Sequence, residues 1–261
     1  MRRLALALLT VMLFAACGKE PTAAAMTAAD PAQPAAQVQP VSRPAQAAAE
    51  TRPATAETRV AQASPAEPGS NARFVAGQHY RVLNPAQPTN VAPGKVEVVD
   101  VFWYGCGGCY IMSPYMAAWR ESKPDVAEYV QLPATLNPGW QPQARLHFAT
   151  RALGISDQTH RAIFQEMHVK RNPLNTIDLM IEFLAGYGIS ESDARDALTG
   201  FSVEAELRAA DVRARRYQLS FVPAFVVNGK YVVGLQQAGG PEAVLDVINY
   251  LVAREAGTLQ D

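Results

Sequence analysis

Cys106 and Cys109 stand three positions apart, separated by Gly107 and Gly108, and the chain has one other cysteine, Cys17. Two thiols at that spacing lie one turn apart where a helix starts between them, close enough to form a disulfide. The first turn of a helix offers unpaired backbone N–H groups and the positive end of the dipole, which favour a thiolate. Cys106 is therefore expected to be the low-pKa nucleophile and Cys109 the less exposed thiol that resolves a mixed disulfide. Half of a zinc site is the rival reading. Structural zinc needs four ligands, and the folded part has no further cysteine. Its histidines, His79, His147, His160 and His168, show no ligand spacing near the pair. Redox chemistry is favoured, with no metal or cofactor expected.

The elements around the pair fit that chemistry. Val96 to Phe102 reads as a buried strand interrupted by Glu97 and Asp100, and a helical stretch carrying Tyr110, Met112, Met116 and Trp119 follows the cysteines. Ala127 to Leu132 alternates like a second strand. The region from about Pro138 to Leu219 reads as helical throughout. Its segments are Leu146 to Leu153, Asp157 to Val169, Thr176 to Tyr187 with Asn175 as cap, and two starting at Ser190 and Ser202. Strand character returns at Ala224 to Val227, Asn228-Gly229 offers a hairpin turn into Tyr231 to Val233, and a last helix opens at Pro241. The order describes an α/β fold with an inserted helical block.

The amino terminus is built for export. Arg2 and Arg3 precede an apolar run, Leu4 to Ala16, which is shorter than the roughly 20 residues that span a bilayer and suits a signal peptide. Leu13-Phe14-Ala15-Ala16-Cys17 resembles a bacterial lipobox, although Phe14 stands where leucine is usual. That resemblance implies removal of residues 1–16 and acylation of Cys17. An ordinary signal cleaved after Ala15 or Ala16 stays open. Gly18 follows the cysteine in place of the aspartate associated with inner-membrane retention, which implies the inner leaflet of the outer membrane, facing the periplasm. From Gly18 to Ser70 the chain is rich in Ala, Pro, Gln and Thr and has no aromatic residue, so residues 17–72 are expected to be a disordered tether. As flexible coil it would reach about 40 Å. Tether and inert spacer have the same composition. A net charge of −1 lacks the basic excess that nucleic-acid binding needs.

The stretch Val99-Asp100-Val101-Phe102-Trp103-Tyr104-Gly105-Cys106-Gly107-Gly108-Cys109 resembles the active-site segment of thioredoxins, and Pro114 matches the proline that kinks their active-site helix. Phe221-Val222-Pro223-Ala224-Phe225-Val226-Val227-Asn228-Gly229-Lys230-Tyr231 resembles the cis-proline segment of DsbA-type oxidoreductases. The resemblance implies a thioredoxin-like fold over residues 73–261, with a helical insertion at about 138–219. It also implies a protein disulfide oxidoreductase that passes its disulfide to folding exported proteins and is reoxidised by a DsbB-like membrane partner. By the same resemblance Pro223 is the cis-proline beside the disulfide, and the backbone of Val222 pairs with an extended substrate. Asp100 becomes the buried acid that handles the Cys109 proton; a strand-edge aspartate facing water is the alternative. Trp103 and Tyr104 either wall the site or pack in the core. The family's most oxidising members carry Pro-His between the cysteines, with a potential of about −120 mV. Gly107-Gly108 supplies no imidazole, so a weaker oxidant is expected. A reductase or isomerase would run the same chemistry in reverse, and a non-catalytic peptide-binding lipoprotein would use the groove beside Pro223 without turnover.

Overall fold

The computed structural model describes residues 73–258; the expected signal peptide, Cys17 and the expected tether lie outside the described residues. A five-stranded mixed sheet organises the rest. Its strands are β1 (Arg81–Val82), β2 (Val96–Phe102), β3 (Ala127–Pro133), β4 (Ala224–Val227) and β5 (Tyr231–Gly234), ordered β1-β5-β4-β2-β3. β2 runs parallel to β3 and antiparallel to β4, so it is paired along both edges and buried at every residue. This explains its near-continuous apolar run.

Two helical layers cover the sheet. On one face lie α1 (Gly107–Ser122) and α8 (Pro241–Glu255). Cys109, Met112, Met116 and Trp119 line the buried stripe of α1 at intervals of three and four, and Val244, Val247, Ile248 and Leu251 do the same on α8. Val96, Val98 and Phe225 meet this layer. The other face receives the helical insertion, which begins with a 3-10 turn (Pro138–Trp140). It continues as α2 (Gln141–Ala152), α3 (Ser156–His168), α4 (Ile177–Ala185), α5 (Glu191–Thr199) and α6 (Phe201–Arg216). Leu146, Phe148, Phe164, Leu207 and Ala210 share a core there with Val99 and Val101.

Several boundaries differ from the sequence reading. α2 starts five residues before Leu146, because Pro142 fits its first turn and Gln143 and Ala144 are buried along with the apolar residues. The cap of α4 is Thr176, whose hydroxyl accepts from the Leu179 N–H at 3.3 Å, and not Asn175. α6 begins at Phe201, after Gly200. β1 and the four-residue α7 (Leu235–Ala238) add to the elements that the sequence pattern predicts. The hairpin turn holds, with Asn228 and Gly229 both at positive φ.

Candidate active site

Strand β2 delivers the chain to Cys106, and α1 begins at the next residue. The Cys106 side chain is the N-cap of α1, its Sγ accepting from the Cys109 N–H at 3.2 Å. The sulfur thus occupies the place of a capping oxygen, at the positive end of the helix dipole. Both cysteines are free thiols in this structure. The Cys106 pKa is drawn down to about 6, mainly by the Cys109 thiol bonding to it, with further help from the Cys109 and Gly108 backbone amides against the cost of burial. Cys109 is buried, and burial together with the neighbouring Cys106 sulfur pushes its thiol strongly upward. One sulfur is poised to be an anion at neutral pH and the other a thiol.

Val222 and Pro223 reach the pair from the loop before β4, through a cis peptide bond. The Val222 carbonyl lies 3.5 Å from Cys106 Sγ and can accept its S–H. Cys106, Gly108, Val222 and Pro223 form one end of a groove of about 440 Å³, which Phe221, Gly234, Leu235, Gln236 and Gln237 complete. Phe221 leans over Gly234, where a Cβ would stand 2.9 Å from its ring. Gly108 is pressed against the groove wall, its missing Cβ 3.1 Å from Pro223 Cδ, whereas Gly107 faces open space.

Asp100 is 6% exposed on the central strand, which excludes the water-facing alternative. Its side chain lies on the face toward α1, in phase with Val96 and Val98. The Tyr129 hydroxyl donates to Asp100 Oδ2 at 2.7 Å. Burial raises its pKa to about 7, the Tyr129 bond working in the opposite direction. The charge of Asp100 is also felt at Cys109, raising that thiol further.

Trp103 and Tyr104 differ in exposure. Trp103 stays partly exposed beside the pair, stacks on Trp140 of the insertion at 4.6 Å with 7° between the planes, and donates from Nε1 to Gln143 Oε1 at 3.2 Å. Its indole covers Gly105, where a Cβ would lie 2.3 Å from the ring. Tyr104 is 1% exposed, so the expectation that its side chain contacts substrate is corrected: the ring turns into the core because Phe102 and Phe164 pack against it.

Three of the four histidines converge on Tyr104, which sequence spacing did not reveal. The Tyr104 hydroxyl lies 3.1 Å from His147 Nδ1 and 2.9 Å from His160 Nδ1, so it can donate to one and accept from the other. His168 Nε2 donates to the Tyr104 carbonyl at 2.8 Å, and its ring stacks on Tyr110 of α1 at 4.7 Å. Burial lowers the pKa of His147 and takes His160 to about 4, leaving both neutral at pH 7. They fasten the insertion to the segment before Cys106. Among the described residues no group of three or more His, Cys, Asp or Glu side chains is placed to hold a metal ion.

Comparison with known proteins agrees with this geometry. The family model of the DSBA-like thioredoxin domain matches residues 98–240, which takes in both cysteines, Pro223 and the whole insertion. The chain belongs to the DSBA-like thioredoxin domain family. It is a thiol:disulfide oxidoreductase of that family. The thiol:disulfide interchange protein DsbA of Azotobacter vinelandii is 38% identical over 198 residues, covering 75% of this chain and 91% of the relative. The protein of the same name from Pseudomonas aeruginosa strain PAO1 is 34% identical over 182 residues, with 70% and 86% covered. A crystal structure of Pseudomonas aeruginosa DsbA superposes with a TM-score of 0.67 at 34% identity, over 70% of this chain and 95% of that one. The chain has the DsbA-like thioredoxin fold, with a Gly-Gly pair between the cysteines.

Proposed function

We propose that the protein oxidises exported polypeptides as they fold, through a mixed disulfide on Cys106. The observation that carries this reading is the asymmetry of the pair: an ionisable, accessible Cys106 at a helix start and groove edge, and a buried Cys109 held as a thiol. A substrate thiolate attacks Cys106 Sγ of the disulfide form, the Cys106–Cys109 bond breaks, and Cys109 leaves with the electron pair and takes a proton from Asp100. A second substrate thiolate then attacks the substrate sulfur of the mixed disulfide and releases Cys106 as a thiolate. The substrate loses two electrons and the cysteine pair gains them. Val222 and Pro223 hold an extended substrate, with the backbone of Val222 pairing to it, and Trp103 borders the site. A DsbB-like membrane protein returns the pair to the disulfide.

The setting belongs to the same proposal. Residues 1–16 act as a lipoprotein signal and an acylated Cys17 anchors the chain. Residues 17–72 tether the redox domain, residues 73–261, in the periplasm from the inner leaflet of the outer membrane. Among the described residues no helix is long and apolar enough to cross a membrane.

Trapping the resting redox state in cells with a thiol-alkylating reagent tests the direction. A pair held mostly as disulfide is expected, and a mostly dithiol pair would make the protein a reductase or isomerase. Replacing Cys106 by Ser should abolish oxidation of a peptide dithiol; retained function would leave only a peptide binder.

A further inference from the structure

The sulfur chemistry leaves one proton path unexplained. While a polypeptide lies on Cys106, the groove at Val222 and Pro223 is occupied, yet Asp100 must exchange a proton with solvent once per turnover. Asp100 sits on the central strand with β4 on one side, where its partner is Phe225, and β3 on the other, where its partner is Gln131. Cys109 of α1 and Tyr104 are the titratable groups that feel its charge from other directions. The side chain bonded to it is Tyr129 of β3, at 2.7 Å. Tyr129 in turn lines a separate cavity of about 390 Å³ between α1, β3 and α3. Ser113, Arg120 and Glu121 border that cavity from α1, and Asp157, His160 and Arg161 from α3. Arg120 and Asp157 pair across it at 2.6 Å. A lining of this polarity and volume accommodates water, and it shares no residue with the substrate groove.

We propose that Tyr129 positions the Asp100 carboxylate and relays its proton to the cavity between α1 and α3, giving the reaction a proton route that a bound substrate does not block. The inference rests on the reading of Asp100 as the acid that serves Cys109. When the disulfide opens, Asp100 gives its proton to the Cys109 thiolate. The Tyr129 hydroxyl then passes its proton to Asp100 Oδ2 and takes one from a cavity water, so that Tyr129 is neutral before and after. On reoxidation the same transfers run outward. Burial and the Asp100 charge keep the Tyr129 hydroxyl protonated, as a relay without a charged intermediate requires.

Three variants of the full chain test this, with two readouts: the Asp100 carboxyl carbon shift against pH, and the rate at which saturating peptide dithiol reduces the pair. Tyr129→Phe removes a hydrogen bond that favours the carboxylate, so the Asp100 midpoint should rise by about one pH unit or more. The saturated rate should fall by about a hundredfold, the lower end of what a positioned proton-transfer group contributes. Ala117→Trp fills the exposed mouth of the cavity without touching the bond, so the rate should fall and the midpoint stay in place. Tyr129→Phe with unchanged midpoint and rate, or Ala117→Trp at the wild-type rate, overturns the relay. Asp100→Asn separates the two levels of the argument. If it alters the pH profile of the saturated rate while Tyr129→Phe does not, the relay fails and the role of Asp100 stands. If Asp100→Asn leaves the profile unchanged, both fail.

Discussion

At the scale of single residues, the site is a contest over where one negative charge rests. Cys106 holds it because a neighbouring thiol and backbone amides point at its sulfur, whereas Asp100 resists it because only one hydroxyl compensates its burial. Alkylation of the reduced protein by iodoacetamide should therefore rise with pH through a midpoint of about 6, carried by Cys106. A midpoint above 8 would mean that the helix start does not stabilise the thiolate. The two groups push stability in opposite directions. Cys106 has a folded pKa below its ordinary value of 9.0, so its contribution is complete above that value and is lost as pH falls through about 6. Asp100 is displaced upward from 3.8, so its contribution is complete below 3.8 and is lost as pH rises through about 7. Asp100→Asn cannot ionise and escapes that loss. The reduced variant should match wild type near pH 4 in thermal melts and exceed its Tm at pH 8 by on the order of 5 °C. Equal melting temperatures at pH 8 would show that the buried carboxylate is better compensated than its surroundings indicate.

At the scale of elements, the reactivity of the pair depends on how the start of α1 meets the Pro223 loop and α7. Gly108 is the point of contact, and a side chain there must share space with Pro223 Cδ at 3.1 Å and Leu235 Cδ2 at 3.4 Å. Gly108→His would place an imidazole beside the thiolate, as in the strongly oxidising relatives. Its midpoint should fall, and each unit should raise the potential by about 30 mV. The crowding should cost about 1 kcal/mol of stability. Glutathione equilibration and urea unfolding of wild type and variant measure both; an unmoved potential would remove the imidazole argument for a weaker Gly-Gly oxidant. What sequence could reveal followed the same divide between local and convergent. β2, the Asn228-Gly229 turn and the stripe on α8 were legible because each is written in contiguous residues with a single period. The residue types favour Asn175 as the α4 cap and the fold uses Thr176, because Asn and Thr both cap helices and only geometry ranks neighbours. β1 and α7, of two and four residues, are too short to show a period. Cys106, Cys109 and Pro223 could be named from motifs. The Tyr129 bond to Asp100, the Trp103–Trp140 stack and the gathering of His147, His160 and His168 could not, since each joins segments that no spacing rule connects.

At the scale of the whole molecule, β2 serves two cores at once, and its two acidic residues face opposite ways. Asp100 looks toward α1 and the chemistry. Glu97, an odd number of positions earlier, looks toward the insertion and is 0% exposed. Arg213 of α6 meets Glu97 at 2.6 Å and also donates from Nε to the Tyr217 hydroxyl at 2.8 Å, while the Asn90 N–H donates to Glu97 Oε1 at 3.1 Å. This pair joins the end of the insertion to the sheet on the face away from α1. Removing one partner strands the other charge in a desolvated place, so Glu97→Ala should cost about 3–5 kcal/mol in urea unfolding. Replacing both partners by methionine should recover most of that loss, because two apolar side chains leave no orphaned charge. The potential of the cysteine pair should remain that of wild type in the double variant, since neither residue borders the Cys106 groove. A double variant as unstable as Glu97→Ala would mean that the ion pair itself, and not the penalty of an unpaired charge, holds the insertion to the sheet. A displaced potential with restored stability would mean that the seating of the insertion is felt at Cys106, through the histidines that hold Tyr104.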